Sequence, residues 1–78
     1  MKKEYRVFRM YLEDIQVAMS RIEEYIENLT FMNFKQDYKT VDAVIRNFEI
    51  IGEAAKNVPE EIKNKYSEVP WSEMYLLR

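Results

Sequence analysis

Phe8, Leu12, Ile15, Met19, Ile22, Ile26 and Leu29 follow one another in alternating steps of four and three residues without a miss. A strand, whose side chains change face at every residue, would scatter this series over both sides, whereas a helix gathers it into one stripe about six turns long. Tyr11, Ala18 and Tyr25 recur every seven residues beside it and widen the stripe into a face that can touch two neighbours. The spacing predicts a first helix over about 4–28.

A second stripe, Val41, Val44, Phe48, Ile51, Ala55 and Val58, predicts a helix over about 38–57. Between the two, "LTFMNFKQDYKT" breaks the period, with Asn28 near a helix end and Thr30 placed to cap a short turn carrying Phe31 and Phe34. Gly52 costs about 1 kcal/mol against Ala inside a helix, so a close approach by another backbone is expected there. Pro59 and Pro70 are each followed within three residues by acids suited to a helix N-terminus. They predict a short helix near 59–66 and another from about 70. The last begins at "PWSEMYLLR" and meets no Gly or Asn cap before Arg78, so it reads as a helix started and cut, with Trp71 as its anchor. Two long amphipathic helices on a short connector pack antiparallel, and their apolar faces stay partly uncovered unless a third and fourth helix arrive. The expectation is one all-α domain over 1–78, an antiparallel helical bundle incomplete at its C-terminus.

Composition narrows the chemistry. One Gly, two Pro and 47% hydrophobic residues make the chain too poor in turn formers for an all-β fold and too apolar for disorder. No Cys is present, which removes thiolate catalysis and cysteine zinc sites, and no His, which removes the usual general base and the commonest metal ligand. Glu13, Asp14, Glu23, Glu24 and Glu27 offer carboxylates, but a di-metal bundle also needs Glu-x-x-His pairs, so neither metal nor cofactor is expected. A net charge of −2 gives no global field for nucleic acid, although Lys2, Lys3, Arg6 and Arg9 form a local basic start. No stretch approaches the roughly 20 apolar residues of a membrane span. Glu4, Arg6 and Arg9 interrupt what would be the apolar run of a signal peptide. A cytoplasmic location is expected.

Asp42, Arg46, Glu49 and Glu53 follow at four, three and four residues and therefore share one face of the second helix. One reading is a solvated face of alternating charges. The other is a polar stripe turned to a cleft or partner, where Arg46 meets phosphate and the carboxylates orient it. Of the six Tyr and four Phe, Phe8, Phe48, Tyr11 and Tyr25 lie on or beside the apolar stripes, where packing accounts for them better than base stacking.

The segments "YLEDIQVAMSRIEEYIENLTFMNF" and "KTVDAVIRNFEIIGEAAKNVPEEIKNKYSEVPWSEMYLLR" resemble the HepT-like branch of the HEPN superfamily over essentially the whole chain. "DAVIRNFEIIGEAAKNVP" and the "PW" that opens the last helix are the most specific parts. The resemblance implies a bundle of four or five helices, a homodimer, and the toxin half of a toxin–antitoxin pair. It implies as partner a nucleotidyltransferase-type antitoxin, which in some systems adenylylates a Tyr of the toxin. Activity in the family is attributed to metal-independent RNA cleavage by an R-x(4–6)-H motif, often followed by a Tyr. Arg78 falls where the motif Arg stands. The motif His and the Tyr have no counterpart in these 78 residues. Arg46, Glu49 and Glu53 match a polar stretch of the family pattern as supporting residues.

Cleaving RNA through its 2′-hydroxyl needs a proton acceptor, a proton donor for the leaving oxygen, and cationic help for the phosphorane. Arg78 can meet the third need, but a guanidinium stays protonated and is a poor base. The expectation is a HepT-like ribonuclease toxin by family, inactive as this polypeptide. Two rival expectations are a non-catalytic helical module that binds itself or a nucleotidyltransferase, and a partial gene product with no function of its own.

Overall fold

The computed structural model describes residues 3–77, the Glu4 side chain excepted. Among these are five helices and no strand: α1 (Lys3–Ile26), α2 (Phe31–Gln36), α3 (Tyr38–Asn57), α4 (Glu60–Lys65) and α5 (Trp71–Tyr75). The all-α expectation holds, and the boundaries of the two long helices fall within two residues of those read from periodicity.

Each junction has a local cause. Thr30 Oγ1 accepts from the Asn33 amide at 3.1 Å and so caps α2, as its position foretold. Asp37 then serves two helices at once. Its own amide donates to the Phe34 carbonyl at 3.1 Å, closing α2, while its carboxylate accepts from the Thr40 amide at 3.1 Å and the Thr40 hydroxyl at 2.7 Å, opening α3. These bonds stabilise the charged form and hold the Asp37 carboxyl below its ordinary 3.8. Val58, at φ −62° and ψ 132°, leaves the helical region because a residue before proline clashes there, and α3 ends. Pro59 and Pro70 take the N-cap positions of α4 and α5.

The α1–α3 hairpin supplies the largest interface, and α5 packs on α3. Ile15 and Ala18 of α1 meet Ile51 and Ala54 of α3 in the core, with Tyr11, Ile22, Ile50 and Met74 packed around them. Gly52 is buried, so neighbouring atoms cover its backbone where a larger side chain would stand. Ile62 of α4 is 1% exposed. Lys65, the last residue of that helix, donates to the Tyr5 hydroxyl at 2.8 Å and lies over the Tyr5 and Tyr66 rings, while Tyr66 stacks on Phe8 at 6.2 Å between centroids. Trp71 anchors α5 by donating its indole N–H to the Tyr66 carbonyl at 3.1 Å.

Only half of the first stripe is used. Ile15 is buried and Ile22 packs on the core, but Leu12, Met19 and Ile26, seven apart, are 38%, 50% and 40% exposed. The hairpin is long: its extents are 45 × 22 × 17 Å and its radius of gyration is 14.5 Å. A compact chain of this length would have a radius of gyration of about 11.5 Å. The accessible surface of 6063 Å² likewise exceeds by about 1,000 Å² what a folded monomer of this mass exposes.

Candidate functional site

α1 and α3 lie side by side, and the polar residues flanking their shared core wall a shallow groove. One part, about 220 Å³, is lined by Tyr11, Asp14, Arg46, Glu49, Ile50, Glu53, Ala54 and Asn57. The adjoining part, about 360 Å³, shares Asp14 and Ile50 and adds Val17, Ala18, Arg21 and Asn47. Arg46, Glu49 and Glu53 therefore do come together, and the alternating charges belong to a groove wall as well as to solvent. Asp42, expected on the same face, is exposed and does not line it. Arg78, the expected motif residue, lies outside the described residues.

Five polar groove residues formed no part of the expected site: Tyr11, Asp14, Arg21, Asn47 and Asn57. Asn47 is the informative one. It is 5% exposed, and its Nδ2 donates to the Ala43 carbonyl at 2.8 Å, which fixes the amide plane. Its Oδ1 is buried and has no hydrogen-bond partner. A polar residue in register with Val44, Ile51 and Ala54 was the signal in the sequence, because every other position of that row is apolar.

The groove carries three carboxylates, Asp14, Glu49 and Glu53, against two guanidiniums, Arg21 and Arg46. Its balance is mildly acidic as a whole, but the Asn47 half holds one acid and one base and is neutral. Among the described residues no group of three or more carboxylates is placed to hold a metal ion. Among the same described residues no helix is long and apolar enough to cross a membrane.

On the other side of α1, two apolar grooves open at opposite ends of the hairpin. Ile22, Ile26, Leu29, Phe31, Phe34 and Phe48 line one, of about 320 Å³. Phe8, Leu12, Tyr66, Val69, Trp71 and Met74 line most of the other, of about 280 Å³.

These features define an all-α hairpin protein with a charged groove on one side and unfilled apolar surface on the other. The Ribonuclease HepT-like family matches residues 15–78, and the chain belongs to that family. It is 48% identical over 73 residues to a Thermococcus cleftensis protein named "Probable ribonuclease HepT", covering 94% of this chain and 66% of that one. It is 48% identical over 77 residues to a provisionally named RNase of Methanocaldococcus jannaschii, covering 99% and 61%. A provisionally named RNase of Caldanaerobacter subterraneus is 40% identical over 70 residues, covering 90% and 62%. The chain thus spans a little under two thirds of the length of these relatives. No solved structure matches it.

Proposed function

We propose that the protein acts on RNA as a metal-independent endonuclease and is the toxin component of a toxin–antitoxin pair, working in the cytoplasm. The observation that carries this reading is the family match across residues 15–78. Arg78, at the motif position, supplies cationic stabilisation to the phosphorane, and Arg46, oriented by Glu49 and Glu53 on the groove wall, meets one phosphate of the RNA. These 78 residues contain no His, so alone they bring no imidazole to take the 2′-hydroxyl proton. On this reading the 78-residue polypeptide binds RNA and does not cut it.

The protein works as a homodimer with a nucleotidyltransferase-type antitoxin as partner. The surplus surface of about 1,000 Å² is close to the roughly 800 Å² that each partner contributes to a standard interface. The same apolar grooves favour a second reading, a non-catalytic helical module that binds such a partner without chemistry.

The test is to read the coding DNA beyond codon 78 and assay both the 78-residue polypeptide and any longer in-frame product on labelled RNA in EDTA. The expected result is an in-frame His completing the motif, cleavage by the longer product, and none by the shorter. A longer product that carries the His and leaves RNA intact, or cuts only with a divalent cation, refutes the proposal. A frame that stops at codon 78 selects the module.

A further inference from the structure

The row Leu12, Met19 and Ile26 runs about 21 Å along α1 and is exposed at each position. An apolar groove opens at each end of it. Ile26 lines one with Leu29, Phe31 and Phe48, and Leu12 lines the other with Phe8, Tyr66 and Trp71. One apolar surface therefore extends along most of α1, with Met19 at its middle. A contiguous surface of this kind marks a contact, and the surplus of about 1,000 Å² over a folded monomer is close to the area that one partner of a standard interface buries.

Charge along α1 selects the occupant. Lys2, Lys3, Arg6 and Arg9 outweigh Glu4 at the start of the helix, whereas Glu23, Glu24 and Glu27 outweigh Arg21 at the far end of the row. Arg9, Gln16 and Glu23 follow at seven-residue steps, all exposed, and flank the row on the side turned away from the Ile15–Ala18 contact with α3. The complement of an apolar row with a basic start and an acidic finish is the same row reversed. We propose that a second copy of this chain docks antiparallel on this row, Met19 meeting its counterpart on the two-fold axis and Leu12 lying beside the partner's Ile26. This rests on the homodimer reading and adds the face and the direction. In that register Arg9 comes level with the partner's Glu27 to within about two residues, twice by symmetry. A parallel pair would bury the same row but set basic end against basic end and acidic against acidic. Asp14 and Arg21 lie nearly opposite the row, so both charged grooves stay open on the outer sides of the dimer.

Because the chain has no Cys, single cysteines can report the arrangement. A disulfide forms only where two Cα atoms come within about 7 Å. Met19→Cys meets its counterpart at the axis, whereas Leu12→Cys lies about 21 Å from its own counterpart and beside Ile26→Cys of the other copy. The experiment oxidises the 78-residue polypeptide carrying each substitution, alone and as an equal mixture of Leu12→Cys and Ile26→Cys. Non-reducing gels are read beside sedimentation at micromolar concentration, with circular dichroism confirming each fold. The expected result is a covalent dimer from Met19→Cys, none from Leu12→Cys or Ile26→Cys alone, and one from their mixture. Arg9→Glu should weaken association about five- to tenfold, and Glu27→Arg in the same chain should restore it. Self-linking by all three cysteines, a sedimenting dimer that none of them links, or a charge swap that restores nothing overturns this inference and leaves the homodimer reading standing. Cross-links that vanish in a longer in-frame product assign the row to the added segment and overturn it too. A monomer in sedimentation overturns both.

Discussion

Asn47→Leu is a stability experiment that needs no ligand. Both side chains have four heavy atoms in the same branched shape, so the change replaces polarity with little change of form. Three contributions follow from the surroundings. Removing the unpartnered Oδ1 relieves a penalty of about 1–3 kcal/mol. Losing the 2.8 Å bond from Nδ2 to the Ala43 carbonyl costs about 0.5–1.5 kcal/mol. That carbonyl lies inside α3, where the backbone ladder still satisfies it. The added bulk of two methyl groups faces Val17, Ala18 and Ile50, where the groove leaves about 360 Å³ to absorb it. The balance is a stabilisation of about 1 kcal/mol, which for a chain of this size raises the melting temperature by roughly 4–8 °C. Urea unfolding at one fixed protein concentration should show a higher midpoint at unchanged slope. A lower midpoint would refute the reasoning, because it would mean that Asn47 is fully satisfied in the folded protein.

Other perturbations test separate parts of the structure. Ile62→Ala removes three buried carbons from the contact of α4 with the core, and should cost about 2–4 kcal/mol by urea denaturation, whereas Met19→Ala, on a half-exposed position, should cost under about 1. Asp37 is held below its ordinary 3.8, so its capping contribution is complete above that value and is lost as pH falls through the lower folded value. Stability followed by circular dichroism from pH 5 to pH 2 should decline more steeply in wild type than in Asp37→Ala. Paired substitutions Met19→Glu and Phe48→Glu place charges on the uncovered apolar side. They should shift sedimentation toward monomer at micromolar concentration while leaving helicity intact, and unchanged association would move the interface elsewhere.

The legibility of this chain follows from what spacing can encode. Periodicity located both long helices because a four-three alternation has only one secondary-structure reading. Thr30, Pro59 and Pro70 marked their junctions through stereochemistry that acts locally. Asp37 is less legible although its chemistry is equally local, since the second stripe begins only at Val41 and leaves the start of α3 unmarked. The stripe Phe8 to Leu29 tells which residues avoid water but not which of its edges meets α3. That choice is made by the rotation of α1 about its axis, which depends on side chains more than 20 residues away. The structure turns the edge bearing Ile15 and Ala18 inward and leaves Leu12, Met19 and Ile26 outside.

The same rotation decides the candidate site. On a helix advancing 100° per residue, Asp14 and Arg21 lie nearly opposite Leu12, Met19 and Ile26. Setting the Ile15–Ala18 edge against α3 therefore brings Asp14 and Arg21 beside Asn47 and Arg46 and, in the same movement, exposes the apolar row. Arg46, Glu49 and Glu53 could be placed on one face from spacing alone, but their role as a groove wall exists only once α1 supplies the opposing side. Asn47 is hidden in the sequence because apolar recurrence passes over the polar member of a row. The charged groove and the uncovered apolar surface are thus two consequences of one packing choice, so a substitution that rotated α1 would disturb both together. Charges placed only on Met19 and Phe48 should disturb the apolar side and leave the groove unchanged.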